Sequence, residues 1–143
     1  MAKLLELAER CEKATGPDRD LDLAICLATR IILPKLDPAM VMNIEADPHD
    51  SEYVLYDYEN EGCTDSVPDF TSSIDAAMIL VPEGSAGIEL VTLHDRPAAY
   101  VQADGLEWDD CNCIAAATPA LALCAAALRA RATHPVDHSK GAM

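Results

Sequence analysis

Aromatic side chains are scarce: one Phe, one Trp and four Tyr make up 4% of 143 residues. A core drawn from this inventory must be built from aliphatic side chains and alanine, within a hydrophobic share of 50%. At 15.3 kDa the chain has room for one such core and one domain. Positive charge is also scarce. Ten Lys and Arg stand against 25 Asp and Glu, for a net charge of -15. That balance excludes ordinary nucleic-acid binding through phosphate contacts and disfavours an anionic membrane surface. No apolar run approaches the roughly 18–20 residues of a membrane span. The N-terminus alternates charge with leucine and does not read as a signal peptide. Phosphate-loop chemistry lacks its lysine, since the nearest glycine cluster is Glu83-Gly84-Ser85-Ala86-Gly87.

Zinc-type CxxC pairs are missing too. Of the six cysteines, Cys11, Cys26 and Cys124 fall in apolar helical patterns, where the thiol acts as a small buried hydrophobe. Cys63, Cys111 and Cys113 fall in polar segments expected at the surface. The expectation is a reduced, cytoplasmic protein. Asp109-Asp110-Cys111-Asn112-Cys113 reads as an acidic loop, whose carboxylates would raise the thiol pKa and blunt a redox role. His134 and His138 have helical metal-ligand spacing, but Pro135 lies between them. Ser85, His94 and Asp95 could be assembled into a triad on paper, yet none sits in a nucleophile elbow. Neither an enzyme nor a cofactor or metal is expected.

The charge is unevenly placed. Residues 1–35 are balanced, residues 36–128 hold 18 acids and a single base, Arg96, and residues 129–143 are slightly basic. Between Lys35 and Arg96 there is no Lys or Arg. Solubility would account for an acidic surface. Salt adaptation would fit the excess of Asp over Glu, but not the balanced first 35 residues. A block of like charge costs self-repulsion. Its other explanation is a negative face presented to a basic partner.

Periodicity supplies the elements. Leu4, Leu7, Ala8 and Cys11 predict a helix over 3–14. Gly16-Pro17 breaks it, and a second helix follows with the stripe Leu21, Ile25, Ala28 and Ile32, closed by Pro34. Asp18, Asp20 and Asp22 suit its N-terminal dipole. Met40–Ile44 and Tyr53–Tyr58 read as strands, the second with Tyr53, Leu55 and Asp57 on one face and Val54, Tyr56 and Tyr58 on the other. Residues 71–81 read as a third helix with Ser72 and Asp75 near its cap. Ile88–Leu93 and Ala98–Ala103 read as a hairpin with a four-residue connection, His94–Pro97. A polar loop over 104–112 leads to a last helix capped by Thr118, with Leu121, Cys124, Ala125 and Leu128 facing inward. The order α-α-β-β-α-β-β-α predicts an α+β layered domain over 1–132, with helices packed on a small, mostly antiparallel sheet and a flexible tail over 133–143.

Three blocks, GPDRDLDLAI (16–25), PDFTSSIDAAMILVPEG (68–84) and ATPALALCAAALRARA (117–132), resemble a family of small phage and prophage proteins from proteobacteria, the phage α/β/α-sandwich domain. They cover about a third of the chain and consist of core and capping residues. The resemblance implies a layered fold and a mobile-element origin. It brings no activity or catalytic residues. Residues 36–66 and 103–115 depart from it by being longer and more acidic.

Those departures carry the functional expectation. It is a phage-derived, non-enzymatic inhibitor of a host defence nuclease or CRISPR effector, acting in the cytoplasm of the infected host. Asp47, Asp50, Glu52, Asp57, Glu59, Glu61, Asp109 and Asp110 would meet the Lys and Arg of a basic nucleic-acid groove. Tyr53, Tyr56, Tyr58 and Trp108 would supply buried anchors. The expected partner is a basic nucleic-acid-binding protein rather than nucleic acid or membrane, and a homodimer is compatible. The alternatives are a phage accessory or virion-associated protein, acidic for solubility, and a nucleotide-sequestering protein with a pocket built on Arg96 or Arg129.

Overall fold

A computed structural model of the chain describes residues 2–83, 85, 87–102 and 113–133. The fold is α+β, with four α-helices and two three-stranded antiparallel sheets where a single sheet was expected. The first helix, α1 (Ala2–Lys13), buries Leu7, Ala8 and Cys11, as its periodicity predicts. In α2 (Arg19–Thr29) the Asp18 carboxylate caps the N-terminus by accepting the Leu21 N–H at 3.1 Å. This helix stops earlier than its stripe suggested. Arg30 turns left-handed at φ 60°, and its N–H returns to the Cys26 carbonyl. The Thr29 hydroxyl accepts the Ile31 N–H at 3.2 Å, so Ile31 and Ile32 enter the core from an irregular segment.

A short 3-10 turn (Pro38–Met40) leads into the first sheet, β1 (Val41–Asp47), β2 (Asp50–Tyr58) and β3 (Glu61–Ser66), in the order β1-β2-β3. The third strand was not expected. It has almost no apolar side chains, and as an edge strand paired only with β2 it needs few. Next comes α3 (Ile74–Met78), shorter than the predicted 71–81 and capped by Ser73 rather than Ser72. Thr71 is held outside the helix, its N–H donating to the Asp22 carboxylate at 2.7 Å. Beyond Met78 the coil continues to Val81 through tighter i→i+3 bonds.

The second sheet is β4 (Gly87–Leu93), β5 (Arg96–Gln102) and a two-residue β6 (Ile114–Ala115). The β4–β5 turn is two residues, His94 and Asp95, at φ 52° and 65°. That is tighter than the expected four-residue connection. The last helix, α4 (Pro119–Thr133), starts at Thr118, whose hydroxyl accepts the Leu121 N–H.

All of residues 120–128 are buried, so α4 is a central helix rather than a one-sided one. Its alanines let α1, α3, β5 and β6 close around it. Arg129 clamps α4 to α1 through Glu12 at 2.6 Å. One main core joins the helices to both sheets, and a small satellite of Ala98, Tyr100 and Cys113 lies beside it. Cys113 is thus buried, not exposed as its polar setting suggested. Among the described residues, no helix is long and apolar enough to cross a membrane. The expected tail lies outside the described residues from residue 134 onward, while Thr133 ends α4.

Candidate functional site

The β1–β3 meander places eight carboxylates on residues 41–66, a stretch with no Lys or Arg. Register decides which way each side chain points. On β2, Val54 and Tyr56 are buried and Tyr58 packs against the core, while Tyr53, Leu55 and Asp57 face away. Their cross-strand partners on β3 are Ser66, Thr64 and Gly62. On β1, Met42 pairs with Asp57 and Glu45 with Leu55, so the strand gains one residue between them. Asn43 sits in that bulge at φ 54°, and its amide donates to Asp57 Oδ2 at 2.9 Å. The bulge turns Ile44 toward the core and Glu45 outward.

The outward face therefore carries a diagonal of apolar side chains, Met42, Leu55 and Tyr53, with Asp57 and Glu45 beside it and further carboxylates at both ends. Met42 is 52% exposed and Tyr53 41%, with Leu55 half-buried on β2 between them along the face. At one end the β1–β2 turn carries Asp47 and Asp50, which accept the N–H groups of His49 and Glu52. At the other end the β2–β3 turn carries exposed Glu59, with exposed Glu61 following it. Both turn residues, Glu59 and Asn60, have positive φ, 53° and 67°.

Some of the expected residues are taken up inside the fold. Tyr56 is only 5% exposed, and its hydroxyl donates to Asp65. Burial first, and then that carboxylate, push the Tyr56 phenol above its ordinary pKa. Tyr56 is consequently a core residue, and Tyr58, at the next inward position of β2, packs half-buried against the core. Glu52 lies 3.9 Å from Arg19, a cation that also holds Asp69 at 2.6 Å. Trp108, Asp109 and Asp110 lie outside the described residues, as does Cys111.

Met42 and Glu45 join the face without having been expected there. Strict alternation through Met40–Ile44 groups Met42 with Ile44, and only the bulge separates them. Two-fold alternation along β2 already placed Leu55 beside Tyr53 and Asp57.

The Ser85 hydroxyl donates to the Pro82 carbonyl at 2.8 Å, while His94 and Asp95 form the β4–β5 turn. Among the described residues no group of three His, Cys, Asp or Glu is placed to hold a metal. Cys11, Cys26 and Cys124 are buried thiols. Burial pushes Cys26 up to about 12, and Cys124 is raised by its bond with Cys11 and by burial. Such thiols are poor nucleophiles. No family model, curated protein or solved structure matches the chain.

Proposed function

We propose that the protein is a non-enzymatic binding module that inserts the outward β1–β3 face into the basic nucleic-acid groove of another protein and keeps nucleic acid out. The observation that supports this is a solvent-facing sheet with exposed Met42 and Tyr53 on it, carboxylates beside them and at both ends, and no Lys or Arg on its strands. Interfaces of this anatomy draw affinity from the apolar centre and encounter rate from the charged rim. Asp57, Glu59 and Glu61 would pair with side chains that otherwise hold phosphates, and Met42, Leu55 and Tyr53 would be buried. Together with the resemblance to small phage proteins, this favours a phage-borne inhibitor of a host nuclease or CRISPR effector, acting inside the infected cell.

The test is capture from bacterial lysate by wild type beside a triple variant, Asp57→Asn, Glu59→Gln and Glu61→Gln. Wild type is expected to retain a nucleic-acid-handling protein that the variant releases and that duplex DNA or RNA displaces. With the purified partner, the association rate should fall steeply between low salt and physiological ionic strength. Equal capture by both proteins, or an association rate indifferent to salt, would reduce the acidity to a device for solubility.

A further inference from the structure

A second site lies away from the outward sheet face. A groove of about 670 Å³ opens between α1, the segment after α2, the segment after α3 and the end of α4. That volume falls within the range of about 300–1,000 Å³ typical of small-molecule sites. Its walls include Leu4, Leu33, Leu36, Ile79 and Val81.

Three of the chain's ten cationic side chains, Arg30, Lys35 and Arg131, line this one groove, against the acids Asp37 and Glu83. Two of these cations are held in place by backbone. Arg30 Nη1 donates to the Val41 carbonyl at 3.2 Å, and Arg131 Nε donates to the Leu80 carbonyl. Each guanidinium retains further N–H donors. Among the described residues, none of the three cations has a carboxylate within ion-pair distance, whereas Arg19 and Arg129 do. Arg131 is half-buried, and burial lowers its pKa while Glu83 opposes the shift. A cation held where charge is costly gains from an incoming anion.

We infer that this groove binds a small monoanion with an aliphatic body, a carboxylate whose head meets Arg131, Lys35 and Arg30 and whose chain lies along Leu4, Leu36 and Ile79. Among the described residues, the lining contains no aromatic side chain on which a nucleobase could stack. Three cations against two acids favour one negative charge over two. The groove lies away from Arg96 and Arg129, the two residues of the alternative nucleotide pocket. Arg129 is engaged by Glu12, and Arg96 begins β5 in the other sheet.

The probes are octanoate, 1-octanol and inorganic phosphate, each titrated into isotopically labelled protein while amide resonances are followed by NMR. Octanoate should shift Leu4, Leu36 and Ile79 saturably, with octanol and phosphate binding at least roughly tenfold more weakly. Lys35→Met, a change in an exposed loop, should weaken octanoate by a similar factor. Lys3→Met, outside the groove, should leave it unchanged. Arg131→Lys retains the charge and should keep most of the binding. Absence of saturable shifts, equal binding of octanol or phosphate, or shifts centred on Met42 and Tyr53 would each overturn the assignment. None of these outcomes depends on whether the sheet face has a protein partner.

Discussion

Asp22 shows how one side chain positions a sheet it does not belong to. It is 1% exposed on α2 and accepts the Thr71 N–H at 2.7 Å and an Arg19 N–H at 3.0 Å. Arg19 also reaches Asp69 and the carbonyls of Val67 and Pro68, so the chain leaving β3 is pinned to the start of α2. Thr71 completes the latch by accepting the Asp18 N–H at 2.8 Å. Burial raises the Asp22 pKa, against the lowering effects of Thr71 and Arg19. Asp22→Asn should cost about 1–3 kcal/mol in urea unfolding, because the carboxyl offers one oxygen to the Thr71 N–H and the other to Arg19, and an amide keeps only one acceptor. The fold favours the neutral carboxyl. Its contribution is therefore complete below the unfolded pKa and is lost as pH rises through the raised folded one. The stability gap between wild type and Asp22→Asn should then widen as pH falls through the raised pKa toward the ordinary carboxylate value of about 4. A gap that narrows would show that the ionised form is the one the fold prefers. The sequence assigned Asp22 to the helix dipole and left it there, because its buried partner Thr71 lies far along the chain.

At the scale of elements, the turns explain most departures from pattern. Two-residue hairpin turns usually announce themselves with Asn-Gly or Asp-Gly, because both central residues need positive φ. Here the turns are Glu59-Asn60 and His94-Asp95, which contain no glycine. Their strands were consequently read with a longer connection, or in the case of β3 not read at all. Glu59, a poor occupant of φ 53°, sits at the tip of the acidic meander. Glu59→Asn should stabilise the protein by about 0.5–1 kcal/mol, and Glu59→Val should destabilise it by at least as much. Thermal melts of the two variants beside wild type decide the point, and equal melting temperatures would mean that the turn relaxes. The shortness of α3 has a similar origin. Its composition is helical through 71–81, but Thr71 is bound to Asp22 and Asp18, and the coil narrows before Pro82.

Across the whole molecule, the charge imbalance acts on stability and association in opposite senses. A net charge of -15 repels itself in the compact state, and added salt screens that repulsion. The melting temperature of the free protein should therefore rise from low ionic strength to about 0.15 M salt. The same salt should slow capture by a basic partner. A melting temperature that is flat over this range would place the acids too far apart, or too well hydrated, to matter to the fold. The core tolerates the burden because it is uncharged almost throughout: apart from Asp22 and Thr71, every residue buried among those described is apolar.

The sequence by itself determined the α+β class, both faces of β2, the cap at Thr118, and the acid-only stretch between Lys35 and Arg96. Each of these rests on neighbours in the chain: a periodicity, a side chain bonding two or three residues on, or a count of charges. Tertiary structure decided the rest. It split the expected sheet in two and recruited the polar β3. It placed a bulge in β1 that brings Glu45 beside Met42 and Leu55, surrounded α4 on every side, and gathered Arg30, Lys35 and Arg131 around one groove. Those outcomes depend on which surfaces meet after the chain has turned back on itself, and local pattern carries no record of such meetings.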